Sequence, residues 1–116
     1  MFINLSNHPS SGWSLEQLKA AKKYGEVIDL AFPNIEPSFT SKDVNELADV
    51  TAEGILEIDA HAVVHIMGEM TYTYAVVSRL KSKGITCLAS TTERNTIMMP
   101  NGTKVSDFKF VQFREY

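Results

Sequence analysis

The stretch Ala62-Val63-Val64-His65-Ile66-Met67 decides the fold class of this 116-residue chain. It is continuous, contains three β-branched residues and has no Asp, Glu, Lys or Arg, which is typical of a central parallel strand covered on both faces. The run ends abruptly at Gly68-Glu69-Met70-Thr71, which favours a turn from a strand into a helix. The pattern indicates an α/β protein.

Outward from this stretch, strands and helices alternate along the chain. Short apolar runs predict strands at residues 2–5, 27–32 and 85–89. Helices are predicted after the capping box that begins at Ser14, from Ser41 to Ile58, and after Thr71 or Thr73 as N-cap, the last one ending at Gly84. The order βαβαβαβ over residues 1–94 predicts a mostly parallel four-stranded sheet with right-handed crossovers and with helices on both faces.

The last part of the chain, residues 95–116, has a different pattern. Two strand-like segments, 96–99 and 104–113, are separated by Pro100-Asn101-Gly102-Thr103, and Asn-Gly is a strong hairpin signal. The second segment and the C-terminus hold too many apolar residues for an exposed hairpin in a monomer. We therefore expect a C-terminal antiparallel β-hairpin that extends the sheet or forms a subunit contact, within a single Rossmann-like domain over residues 1–116.

Composition excludes several classes of function. The chain has no apolar run near the ~18 residues that cross a bilayer and no signal-peptide pattern, so we expect no membrane partner and a cytoplasmic location. A net charge of −3 disfavours duplex nucleic acid as a partner. Cys87 lies in an apolar run typical of a buried thiol, and no Cys/His spacing suits zinc. No metal and no cofactor is therefore predicted.

Polar clusters follow three of the predicted strands. They are Ser6-Asn7-His8-Pro9, the Gly68 turn, and Ser90-Thr91-Thr92-Glu93-Arg94. Because parallel strands direct their carboxyl ends to one edge of a sheet, we expect the three clusters to line one crevice.

His8 is the best candidate for a general acid or base. The unperturbed pKa of histidine lies near the operating pH, and Pro9 restricts the backbone of His8 to extended conformations. The alternative is a loop histidine that bonds its own turn. Of the other two histidines, we expect His61 to lie exposed at the boundary of a strand. We expect His65 to be a neutral core histidine with one ring nitrogen hydrogen-bonded.

The other two clusters could bind phosphate. At the Gly68 turn, a helix start would present unpaired amides to an anion, with Glu69, Thr71 and Thr73 beside it, although this glycine could serve turn geometry alone. After the fourth strand, the Arg94 guanidinium suits a phosphate, the alternative being an ion pair with Glu93 or Glu69. The neighbouring ligand-binding candidates are the hydroxyls of Ser90, Thr91 and Thr92. Trp13 and Tyr72 could stack on a base, or they could instead pack in the core.

With its βαβαβαβ order and terminal hairpin, the chain resembles the small CRISPR-associated proteins of Rossmann-like fold, whose relatives include CARF domains and stand-alone ring nucleases. Several of these proteins open with a strand that runs into a Ser-His-Pro or Arg-His-Pro turn followed by a Trp. The matching residues here are Ser6, His8, Pro9 and Trp13, and Asn7 is an insertion relative to that pattern.

The resemblance implies a homodimer that binds a cyclic oligoadenylate across its two-fold axis. It also implies that cleavage, in members that cleave, needs no metal, because a ribose 2′-hydroxyl attacks the adjacent phosphorus. On that basis His8 would move the proton, Arg94 would stabilise the oxyanion, and the Gly68 turn would hold the phosphate. Two other functions stay open: a non-catalytic sensor or sponge of the same ligand, and a small protein-interaction module that docks through its aromatic hairpin.

Overall fold

The computed structural model describes all 116 residues, Met1–Tyr116. One five-stranded mixed sheet has the strand order β2-β1-β3-β4-β5, in which the first four strands are parallel and β5 is antiparallel to β4. The α/β class and the alternating order of the elements are thereby confirmed. The elements are β1 (Phe2–Ser6), a 3-10 turn (Ser10–Gly12), α1 (Leu15–Lys22), β2 (Val27–Ala31), α2 (Ser41–Ile58), β3 (Val63–Met67), α3 (Met70–Ser82), β4 (Thr86–Met98) and β5 (Lys104–Glu115).

The two faces of the sheet are covered unequally. The face packed by α2 and α3, here called the α3 face, holds a core cluster of 16 buried residues that includes Ile3 and Ile66. The opposite face, here called the α1 face, holds a cluster of only three, Phe2, Ala21 and Leu88. Because α1 has only eight residues, it covers only part of its face. The rest of the α1 face, toward the carboxyl ends of the strands, carries polar side chains.

The helix starts agree with the sequence signals in two cases out of three. The Ser14 hydroxyl accepts a hydrogen bond from the amide of Gln17 at the start of α1, although the reciprocal half of the capping box is not formed. Ser41–Ile58 is confirmed as a helix. The prediction of Thr71 or Thr73 as the N-cap of α3 was wrong, since Glu69 takes that position and its carboxylate binds the first free amides of the helix.

The sequence predicts that the fourth strand ends at Ala89, and this prediction was wrong. β4 continues through the Ser90 cluster to Met98 and pairs along its length with β5, with one irregularity between Thr91 and Thr92. The physical reason is that threonine is β-branched and suits a strand, and no Gly or Pro interrupts the chain before Pro100. The separate first segment of a hairpin, residues 96–99, is therefore the outer end of β4 itself.

The outer parts of β4 and β5, residues 91–112, form a two-stranded ribbon that is here called the arm. β3 stops at Met67, whose sulfur lies 3.0 Å from the hydroxyl of Ser90, so β4 has no partner on that side beyond this level. The radius of gyration is 16.0 Å, whereas a compact chain of this length has about 13 Å. The projecting arm accounts for the elongated shape. None of the helices is long and apolar enough to cross a bilayer.

Candidate functional site at the ends of β1 and β3

The centre of the candidate site is the side-chain amide of Asn4, which is buried within β1. Its nitrogen donates to the backbone oxygen of His8 and to a carboxylate oxygen of Asp29, both at 2.9 Å. Its oxygen accepts from the hydroxyl of Ser6 at 2.8 Å and from Nδ1 of His65 at 2.9 Å. Two donors and two acceptor positions are thus all used, which is the full hydrogen-bonding capacity of an amide.

The loop that follows β1 is fastened at several backbone atoms. The carbonyl oxygen of His8 accepts from Asn4 and also from the indole nitrogen of Trp13, at 3.1 Å. The backbone nitrogen of Ser10 and its hydroxyl donate to the carboxylate of Asp29, at 3.1 and 2.9 Å. The imidazole of His8 itself is exposed. The loop therefore presents an exposed imidazole from a backbone that buried groups hold in place.

His65 lies beneath this loop and is neutral. Because the amide oxygen of Asn4 can only accept, Nδ1 of His65 donates, and the buried Nε2 has no hydrogen-bond partner. Burial, together with the nearby His8, lowers the pKa of His65 to about 4. The rings of Phe2, Trp13 and Phe113 surround it with centroid distances of 5.4 to 6.2 Å. The expected neutral core histidine with one satisfied nitrogen is confirmed.

Asp29 supplies a negative charge at the side of the same network. Burial would raise the pKa of its carboxyl, but hydrogen bonds from Asn4 and Ser10 outweigh that effect and lower it. Sequence reasoning missed both Asn4 and Asp29. Each is the one polar side chain within an apolar strand run, and that interruption is the signal from which they could have been found.

Several of the candidate residues from the sequence meet at this edge. Ser6, Met67 and Ser90 lie at the same level of the adjacent strands β1, β3 and β4. Beside Ser6, the exposed Asn7 and His8 extend beyond the strand end. We call this edge, formed by Ser6, Asn7, His8 and Ser90, the rim. Trp13 lies below it, half-buried and packed edge-on against Phe2, so its ring is part of the support for the loop.

The Gly68 turn lies at the end of β3 but faces α3. A side chain on Gly68 would overlap the ring of Phe32, so the glycine is required by packing. The Glu69 carboxylate accepts from the amides of Tyr72 and Thr71, at 2.8 and 3.1 Å, and these bonds, with one from the Thr71 hydroxyl, lower its pKa. Thr73 is buried inside α3. The amides that were expected to bind phosphate are thus already bound by a carboxylate of the chain itself.

Arg94 and the neighbouring threonines lie on the arm. Arg94 is four residues beyond Ser90 in a strand, or about 13 Å along β4. Its guanidinium donates to the hydroxyl of Ser106 at 3.2 Å and lies 5.8 Å above the ring centroid of Phe108, and it pairs with neither Glu93 nor Glu69. Thr91 bonds the backbone of Gln112 across the ribbon, and Thr92 is exposed beside it. One chain alone does not bring Arg94 to the rim.

Two grooves lie on the α3 side of the molecule. One of about 500 Å³ runs between α2 and α3, and another of about 280 Å³ lies beside Gly68 and reaches Tyr116. Neither is lined by His8 or Ser90. No group of three or more His, Cys, Asp or Glu side chains is arranged to hold a metal ion.

The fold and the rim define an α/β protein with a supported polar loop at the carboxyl ends of its parallel strands. Residues 1–114 match the family model described as the Uncharacterized protein MJ1673 family, and the chain therefore belongs to that family. No curated protein and no solved structure matches the chain.

Proposed function

We propose that this protein is a cytoplasmic, homodimeric nucleotide-binding protein of the CRISPR-associated, CARF-related type, with a Rossmann-like fold. Its ligand is a cyclic oligoadenylate or a similar small anionic nucleotide, bound at the rim. The single observation that supports this proposal is the buried amide of Asn4, which holds the backbone of His8 while leaving its imidazole exposed.

A buried hydrogen-bond network such as the one under the rim can destabilise a small domain. A buried polar group that lacks a partner destabilises the fold by about 1–3 kcal/mol, so the buried amide of Asn4 stabilises the fold only while its four hydrogen bonds are formed. An apolar residue at position 4 would avoid the risk. A polar residue at this position is favourable where the loop must be held in one conformation, because a proton-transfer group has to be positioned accurately. The carboxyl edge of parallel strands is also the usual ligand position in an open α/β sheet.

The chemistry that suits this site is transfer of a phosphoryl group within the ligand. The 2′-oxygen of a ribose attacks the adjacent phosphorus, the bond from phosphorus to the 5′-oxygen breaks, and a 2′,3′-cyclic phosphate and a 5′-hydroxyl result. His8 accepts the proton of the 2′-hydroxyl and, once protonated, returns a proton to the leaving 5′-oxygen. Charge on the phosphoryl oxygens would be met by the hydroxyl of Ser90. Arg94, for which the resemblance implies this role, lies about 13 Å along β4 from Ser90 and would contact a different phosphate of the ligand. The start of α3 has no part in this step because Glu69 occupies it.

Two alternatives use different parts of the molecule. A sensor or sponge would bind the same ligand at the rim without proton transfer. A protein-interaction module would dock through the arm, and the exposed Phe108, Ile97 and Val111 favour this second candidate.

The test is incubation of the protein with cyclic tetra-adenylate, following mobility shift and product formation in the same sample. We expect a shifted complex and slow conversion to a linear product, with conversion reduced about 100-fold in His8→Ala while binding is retained. The matched control is His61→Ala, since His61 is exposed before β3 and away from the rim. Binding without any product in the parent protein supports the sponge. Absence of binding to this and related cyclic nucleotides refutes the proposal.

A further inference from the structure

The outer edge of β5 is open along its whole length. β5 is the last strand of the sheet, so one side of its backbone has no partner, and its arm segment buries no side chain. A two-stranded ribbon is marginal by itself, and a long exposed edge with apolar residues is a template for another strand. In the arm, Phe108 and Val111 are 63% and 52% exposed. The arm thus has the properties of a surface that another strand covers.

The charges on this edge match those of a second copy of the same chain. We infer that β5 pairs antiparallel with β5 of a second copy, with the two-fold axis between the two Phe108 residues. Asp107 and Lys109 flank Phe108, so this register sets each Asp107 opposite Lys109 of the other copy. Opposite charges on directly opposed residues stabilise a strand pair. The inference rests on the homodimer of the proposed function and gives that dimer its surface and register.

The neighbouring two-fold registers are disfavoured by the same charges. Moving the axis to residue 107 would set the two Asp107 carboxylates opposite each other, and moving it to residue 109 would do the same for the two Lys109 ammonium groups. Registers further along separate Asp107 from Lys109. Among them, the register centred on residue 112 would set Lys109 opposite Glu115, but it would run through the irregularity of β5 between Phe110 and Gln112. The charge pattern therefore selects Phe108 as the centre.

The backbone of β5 has free groups where this pairing needs them. Met99 N donates to Thr103 O at the end of the hairpin. In an antiparallel ladder, the backbone groups of successive residues point alternately toward and away from the neighbouring strand. Because the backbone oxygen of Thr103 points toward β4, the backbone N–H and C=O of Ser106, Phe108 and Phe110 point away from β4. These residues lie opposite one another in the inferred pair, Ser106 facing Phe110 and Phe108 facing its own copy. Over residues 106–110, before the irregularity of β5, the edge can thus form a regular ladder without rearrangement.

The pairing would also give Arg94 a place in a shared site. Arg94 is opposite Phe108 within the hairpin, and both side chains lie on the same face. This is the α1 face, because Phe110 on the same side of β5 packs at 5.0 Å on Phe113, which contacts the cluster of the α1 face. In the strand order β4-β5-β5-β4 across the axis, the Cα atoms of the two Arg94 residues lie about 14 Å apart, with both side chains on one face. They would flank the axis, about 13 Å along β4 from each Ser90, so a ligand with several phosphates that contacts both would bind at the axis, beside the rim and not within it. This site is incomplete in one chain alone.

Disulfide trapping tests the register directly. The only native cysteine, Cys87, is buried, and its burial raises the pKa of the thiol to about 11, so it does not interfere. Under mild oxidation, we expect Phe108→Cys to form a covalent dimer in high yield, because opposed residues at the axis have Cα atoms about 5.5 Å apart. The matched control is Ser106→Cys, whose two copies would be about 14 Å apart and should not form a disulfide.

Charge exchange provides a second test that introduces no cysteine. Asp107→Lys and Lys109→Asp each set like charges against one another, and each variant alone should dimerise about tenfold more weakly, measured by sedimentation equilibrium. An equimolar mixture of the two restores opposite charges and should regain the dimer. Glu53→Lys, an exposed change of the same charge on α2, should leave dimerisation unaltered.

The outcomes separate the interface from the nucleotide function. Equal trapping of Phe108→Cys and Ser106→Cys, or no trapping in a protein that is dimeric, would refute the inferred register and leave the homodimer intact. A monomer at all concentrations would refute both the interface and the homodimer. Binding of cyclic tetra-adenylate, measured on the same samples, decides the nucleotide function independently.

Discussion

The body of the molecule, residues 1–90 and 113–116, and the arm are joined through β4 and β5, but different interactions hold them. Every buried residue of the chain lies between Phe2 and Leu88, and none lies in the arm. The body is stabilised by packed side chains and by the Asn4 network. The arm has only the hydrogen bonds of its own ribbon and scattered surface contacts. Contacts within the chain therefore hold the rim in place, whereas the arm keeps an open strand edge and exposed apolar side chains.

The largest effect is expected from Asn4→Ala, which removes the centre of the body's polar network. The substitution leaves Nδ1 of His65 and the carbonyl of His8 without their shared partner, and we expect a loss of about 3 kcal/mol in the free energy of unfolding. Urea denaturation measures it. Asn7→Ala, an exposed neighbour, is the control and should change stability by less than about 0.5 kcal/mol. Equal effects of the two substitutions would contradict the importance of the network.

A pH titration tests the same part of the body. The pKa of His65 is about 4 in the folded protein, below the ordinary value of 6.5, so at acidic pH the unfolded chain binds a proton that the folded chain does not. Stability from this source is complete above pH 6.5 and is lost as the pH falls toward 4, by about 3 kcal/mol in total.

The control for this titration is the exposed His61. His61→Gln should keep the decline in stability between pH 6.5 and 4, measured by urea denaturation at each pH, whereas His65→Gln should flatten it. Lowered carboxyl pKa values, such as those of Asp29 and Glu69, act as the pH falls below their ordinary values of 3.8 and 4.5, so the upper part of the window, above about pH 5, reports on the histidine. A decline that persists unchanged in His65→Gln would refute the assignment.

The contrast between body and arm also explains what could be predicted from the sequence. The alternating elements up to Ile85 were recoverable because apolar periodicity and helix caps are local signals. The continuation of β4 beyond Ala89 could not be predicted, because Ser90, Thr91 and Thr92 suit a polar loop and a strand equally well. Only pairing with β5, a non-local interaction, decides between the two.

The candidate site was predictable in part for a similar reason. His8, Ser6 and Ser90 follow strands, so the rule for parallel sheets brings them to one edge. Glu69 is an acidic residue one position before α3, which is a local signal for an N-cap, but the same residues also suit a turn that binds phosphate. The role of Asn4 depends on Asp29 and His65, 25 and 61 residues away, and no local pattern shows such contacts.

A smaller effect is expected at the turn between the body's third strand and α3. Gly68→Ala should cost about 1–3 kcal/mol in the free energy of unfolding, because the added methyl group overlaps the ring of Phe32, which packs edge-on against Tyr72. In Phe32→Leu the same Gly68→Ala substitution should cost clearly less, since the ring is gone. Thermodynamic coupling between the two positions, measured by a double-mutant cycle, checks this reason. Additive costs would show that the ring of Phe32 is not what excludes a side chain at Gly68.

The smallest effect is expected in the arm, and it is the sharpest test of the contrast. Ile66→Val in the core of the body removes one fully buried methyl group and should cost about 1 kcal/mol in the free energy of unfolding. Ile97→Val makes the same chemical change at a side chain that is 59% exposed and keeps a β-branched residue in the strand, so it should cost less than about 0.3 kcal/mol. Both are measured by urea denaturation at protein concentrations low enough to keep the chain monomeric. Equal costs would mean that the arm packs against the body in solution, and the open edge of β5 would then not be free to pair with a second copy.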